Sequence, residues 1–100
     1  MTTHPAQKLD DTVHQRVRLG ILAVLSEARR ADFGYLREAL ELTDGNLSRH
    51  LAVLEEAGLV KVEKKLEGKR TRTWVQATRA GRKALDAEVA ALRELIARVG

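Results

Sequence analysis

Apolar residues recur at steps of three and four from the ninth residue on: Leu9, Val13, Val17, Ile21, Val24 and Ala28, with Leu22 and Leu25 widening the stripe. That period predicts an amphipathic helix over 10–30. Asp10 and Asp11 suit its positive start, and Arg29 and Arg30 its negative end. Gly20, costing about 1 kcal/mol in propensity there, would mark a close crossing by another helix. Residues 1–8 are polar and read as a loose arm. Asp32 is the next N-cap, and Phe33, Leu36, Ala39 and Leu40 form the face of a short helix. After a break, Thr43 caps a third helix over 43–57, backed by Leu47, Leu51 and Leu54, with Gly58 placed to end it.

The period then changes. Residues 59–66 (LVKVEKKL) alternate, with Val60, Val62 and Leu66 on or near one face. Glu67–Gly68–Lys69 is a hairpin tip, and 70–77 (RTRTWVQA) is the returning strand. Its alternation puts Thr71, Thr73 and Val75 on one face and Arg70, Arg72 and Trp74 on the other. Thr78 caps a last helix over 79–99, where Leu85, Val89, Leu92, Ile96 and Val99 make a heptad seam flanked by Leu95. Three helices, a two-stranded hairpin and a long helix make a mainly α fold with a β wing, a winged helix-turn-helix. Residues 9–100 read as one such domain, with 10–30 and 79–99 as dimerisation helices.

Charge sharpens this picture. The 100 residues carry 18 Lys and Arg against 14 acids, a net charge of +4. The excess is local: residues 61–83 hold nine bases and two acids. A basic cluster of that kind points to a polyanion. Only three residues are aromatic, which disfavours a stacking platform for single strands. The chain has no cysteine, which excludes disulfides, thiolate metal sites and Cys nucleophiles. His4, His14 and His50 are scattered and offer no metal spacing. With no Gly-rich phosphate loop, no paired acid and base, and no His/Asp arrangement for Ser26 or Ser48, the chain reads as no enzyme and points to no cofactor. No apolar run suits a membrane span, and the first residues lack the apolar core of a secretory signal; a cytoplasmic protein is expected.

Three stretches, LTDGNLSRHLAVLEEAGLVKVEKK (42–65), GKRTRTWVQAT (68–78) and AGRKAL (80–85), together resemble the winged-helix transcriptional regulators of the MarR/ArsR kind, most of all the small MarR-like group. The likeness covers roughly 16–86. It implies a homodimer on double-stranded DNA, acting as a repressor, with helix 43–57 in the major groove and the wing 60–77 on the backbone or in the minor groove. The recognition residues would fall at 43–53.

The residues themselves fit that role. With Leu47, Leu51 and Leu54 inward, the opposite arc carries Gly45, Asn46, Ser48, Arg49 and Ala52, with Val53 at its margin, and the capping Thr43 joins them as a candidate DNA contact. Arg49 suits a bidentate pair with guanine or a phosphate clamp, and Asn46 and Ser48 suit base edges or phosphate. Asp44 would repel phosphate and is expected to cap or to bind a cation. In the wing, Lys64, Lys65, Lys69, Arg70, Thr71 and Arg72 are candidate contacts; Glu67 departs from a purely basic tip. Trp74 suits packing or an interface, and His50 packing or a phosphate-linked role. The expected dimer interface combines Val13 and Val17 with Leu85, Val89, Leu92, Leu95, Ile96 and Val99. The missing cysteines argue against thiolate metal sensing and leave room for a small organic effector at that interface. The alternatives are a winged helix that docks an acidic protein through its basic hairpin and a reader of double-stranded RNA shape.

Overall fold

The computed structural model describes residues 3–100. Its helices are α1 (Arg16–Glu27), α2 (Phe33–Ala39), α3 (Asp44–Glu56) and α4 (Arg79–Val99), and its strands β1 (Ala31–Asp32), β2 (Val60–Glu67) and β3 (Arg70–Ala77). Capping chemistry sets most boundaries. Asp32, Thr43 and Thr78 accept the N–H groups of Tyr35, Asn46 and Gly81 at 2.6, 3.1 and 3.0 Å. Gly58, at φ 78°, reverses the chain after α3, and the Leu59 N–H closes on the Leu54 carbonyl at 2.9 Å.

α1 begins at Arg16, not at Asp10 as the periodicity predicts. The Asp10 carboxylate caps a local turn, accepting the N–H groups of Thr12 and Val13 at 2.8 and 3.3 Å. Gln15 supplies the true cap, accepting the Arg18 N–H at 2.9 Å. The start of the chain differs from a loose arm too. Pro5–Lys8 form a 3₁₀ turn on α4, with Pro5 buried and Lys8 Nζ 3.1 Å from a Glu94 carboxylate oxygen. Met1 and Thr2, also read as part of that arm, lie outside the described residues.

The sheet has three strands in the order β1-β3-β2, all antiparallel, with Ala31 opposite Val75 and Asp32 opposite Trp74. A strand of two residues shows no alternation for a pattern to catch. One sheet face adds Val60, Val75 and Ala77 to a core of Ile21, Leu22, Leu25, Leu36, Leu47, Leu51 and Leu54. A Cβ at Gly20 would lie 3.0 Å from Leu40 Cδ2, so the glycine makes room for the side chain of the residue that caps α2 and not for a crossing helix.

Val13, Val17 and Leu85, expected at a subunit interface, belong to this same core and are at most 9% exposed. The first half of α4 packs on α1 and the sheet. Outside the core, Leu92 and Leu95 are half-buried, while Ile96 is 67% and Val99 84% exposed. Glu88, unremarkable in sequence, is fully buried on α4; its carboxylate accepts the Asp10 N–H at 3.0 Å and lies 2.7 Å from the His14 ring. Among the described residues, no helix is long and apolar enough to cross a membrane.

Candidate nucleic-acid interface

α3 turns Leu47, Leu51 and Leu54 into the core and leaves Thr43, Gly45, Asn46, Ser48, Arg49, Ala52 and Val53 exposed. The expected arc is therefore accessible along its length. Asp44 is neutralised as anticipated: the Arg37 guanidinium donates to its Oδ1 at 2.7 Å, which also raises the Arg37 pKa above its ordinary value. Arg49 has no ion pair among the described residues.

His50 points the other way. It is buried, with Nδ1 3.2 Å from an Arg18 guanidinium nitrogen. Arg18 Nε in turn donates to the Thr12 carbonyl at 2.6 Å. Burial first, then the charges of Arg18 and Arg49, holds the imidazole pKa below its ordinary value. The neutral ring thus accepts from Arg18 and pins α3 to α1.

The wing divides its cations between two faces. The register pairs Lys64 with Thr73 and Leu66 with Thr71, on the face that continues from Val60 and Val62 toward α3. Here a groove of about 380 Å³ is lined by Ser48, Ala52 and Glu55 of α3 and by Lys64 and Thr73 of the ribbon. Leu66, 75% exposed, continues that face toward the tip. It is an apolar candidate contact on the face that the alternation gave it. Lys69 and Arg70 are exposed at the tip.

The opposite face carries Lys65, which pairs with Arg72 across the ribbon. Lys65 Nζ lies 3.8 Å from Glu63. Arg72 is spent on protein: Nη2 and Nε donate to Asp32 Oδ2 at 2.6 and 3.0 Å, and Nη1 donates to Glu67 at 3.4 Å. The Tyr35 N–H and then Arg72 hold the Asp32 pKa below the usual carboxylate range. Glu67, the odd acid of the tip, is likewise engaged, accepting the Trp74 indole N–H at 3.1 Å. Arg72 therefore braces the wing against β1. The signal for this was Asp32 itself, but no spacing in sequence links residues forty apart.

The winged-helix architecture, with the family and structural likeness that follow, is that of a DNA-binding transcriptional regulator rather than an enzyme. The chain belongs to the winged helix DNA-binding domain family, which matches residues 17–96. It is 46% identical over 66 residues to an uncharacterized protein of Methanocaldococcus jannaschii, 66% of this chain and 72% of that one. A transcriptional regulator homologue from Pyrococcus horikoshii OT3 superposes with a TM-score of 0.89 at 32% identity, covering 97% of this chain and 98% of that one. The M. tuberculosis regulator MOSR, solved in complex with DNA, shares the fold at a TM-score of 0.73 and 24% identity, over 95% of this chain and 68% of its own.

Proposed function

We propose that the protein is a homodimeric repressor that reads double-stranded DNA with α3 in the major groove and the wing tip on the backbone or in the minor groove. The observation that carries this is the groove between α3 and the ribbon. It brings Ser48, Ala52 and Lys64 together beside an exposed Arg49, and of the two acids that line it Asp44 is held by Arg37 and Glu55 accepts the Val62 N–H. Arg49, Asn46 and Ser48 meet bases or phosphates, and Lys64, Lys69, Arg70 and Thr71 meet the backbone. Lys65 and Arg72 lie behind this surface and act on the wing rather than on DNA. Two copies pair through the second half of α4, where Leu92, Leu95, Ile96 and Val99 present an apolar stripe. This sets two recognition helices about 34–36 Å apart.

Selection of bound sequences from a random duplex pool tests the reading, and should yield a two-fold site with one helical turn between half-sites. About eight neutralised phosphates per dimer should cost roughly 10⁴-fold in affinity between about 50 and 200 mM salt. A flat salt response would exclude groove binding. Sedimentation tests the pairing: a monomer at tens of micromolar overturns the dimer.

A further inference from the structure

The far face of the wing is a second cationic surface that DNA reading leaves unused. Trp74 stands at its centre, with the Arg30 guanidinium carbon 3.8 Å and that of Arg72 4.4 Å from the ring centroid. Two hollows meet along the Arg30–Trp74 stack. The first, about 300 Å³, is walled by Arg29, Arg30, Lys61 and Lys65, with Glu63 as its one carboxylate. The second, about 460 Å³, is more apolar and runs past Val24, Tyr35 and Trp74, with Glu27 and Asp32 at its edge. Asp32 is taken by Arg72 at 2.6 Å and Glu63 by Lys61 at 2.9 Å. Arg29 and Arg30 hold no carboxylate among the described residues.

Tryptophan, tyrosine and arginine are the side chains that dominate binding energy between proteins, and all three converge here. Tyr35 is 60% exposed although a tyrosine can bury most of a large ring. Stacking on Trp74 orients Arg30 in advance, so less side-chain freedom is lost on binding. A cationic hollow beside an apolar one complements a chain that carries carboxylates next to an apolar side chain. Of the two acids that line the apolar hollow, Asp32 is already paired with Arg72, and Glu27 does not line the cationic hollow where the carboxylates would sit. The ribbon separates the face from the groove beside α3.

We propose that this face docks an acidic segment of another protein, its carboxylates on Arg29 and Arg30 and an apolar side chain between Trp74 and Tyr35, while α3 remains open to DNA.

Trp74 is the one tryptophan of the chain, so its emission reports the face directly. The probe is a short Trp-free peptide alternating Glu with Leu, titrated into the full chain with and without a bound duplex; a Lys-for-Glu peptide is the control. The acidic peptide should change Trp74 emission saturably, with the same midpoint on free and DNA-bound protein. Arg29→Gln/Arg30→Gln should weaken it about tenfold or more and leave duplex affinity within a few-fold. Tyr35→Ala, at an exposed position, should weaken the peptide without touching the Arg30–Trp74 stack. The arm without duplex reads the surface independently of DNA binding. The proposal is overturned by no saturable change, by equal binding of the Lys peptide, or by unaltered binding to both variants. Displacement of the peptide by duplex, or duplex affinity lost with the two arginines, also overturns it and assigns the face to DNA.

Discussion

The carbonyl oxygen of Leu59 lies directly against Gly81, the third residue of α4. The same oxygen accepts the Thr78 N–H at 3.0 Å, and Thr78 Oγ1 donates to the Gly58 carbonyl at 2.6 Å while accepting the Gly81 N–H at 3.0 Å. The turn that ends α3 is thereby locked to the start of α4. A Cβ at position 81 would overlap the Leu59 carbonyl oxygen and approach its Cα to 3.3 Å; both partners are backbone and neither can yield. Gly81→Ala should therefore cost about 3 kcal/mol, the upper part of the overpacking range. In a domain of this size that lowers the melting temperature by roughly 12–24 °C. Calorimetry showing an unchanged transition would contradict the interlock.

Gly45 is the opposite case. It is the second residue of α3, and a Cβ there meets nothing within 4 Å. Alanine in a helix gains about 0.5–1 kcal/mol over glycine, so Gly45→Ala should raise the melting temperature by roughly 2–8 °C. The same methyl group stands where the backbone would approach the major groove, and duplex affinity should fall. A variant that gains on both measurements would show that DNA does not come close to this turn.

Lys64 and Lys65 are neighbours in sequence and lie on opposite faces of the ribbon. Each phosphate contact adds about 0.9 to the slope of log affinity against log salt. Lys64→Ala should flatten the slope of a dimer by about 2, one contact per protomer, whereas Lys65→Ala should leave it unchanged. Equal effects from the two would mean that the wing rolls when it meets DNA.

The half of the molecule that carries α3 and the ribbon was legible because its signals are local. Asp32, Thr43 and Thr78 stand where caps belong, Gly58 where a helix must reverse, and Leu47, Leu51 and Leu54 fix which arc of α3 is exposed. The interlock explains why the Gly58–Leu59 and Thr78–Gly81 motifs occur in one chain, a link that reading each motif separately does not reveal. What escaped the sequence depends on distant partners. Asp10 has the chemistry of a helix cap, but that chemistry is equally served by an isolated turn, and Gln15 caps α1 instead. Glu88 is buried because the Asp10 N–H and the His14 ring come to it from the other end of the chain. Arg72 looks like any wing cation until Asp32 and Glu67 are placed beside it.

His50 gives the fold a dependence on pH whose sign follows from its surroundings. Its burial, and then the nearby charges of Arg18 and Arg49, lower its folded pKa below the ordinary value of 6.5. Between that lowered value and about 6.5 the unfolded chain binds more protons than the folded one, so stability rises with pH across this window and is lost on acidification through it. Protonation would also set an imidazolium against the Arg18 guanidinium, 3.2 Å away. His50→Gln keeps an acceptor for Arg18 and removes the titration. The wild-type melting temperature should therefore fall further than that of His50→Gln between about pH 7.5 and about pH 5.5. Groups common to both proteins cancel in the difference. Parallel curves would mean that His50 exchanges its proton as freely in the folded protein as in the unfolded chain, and that the Arg18 contact does not hold the ring neutral.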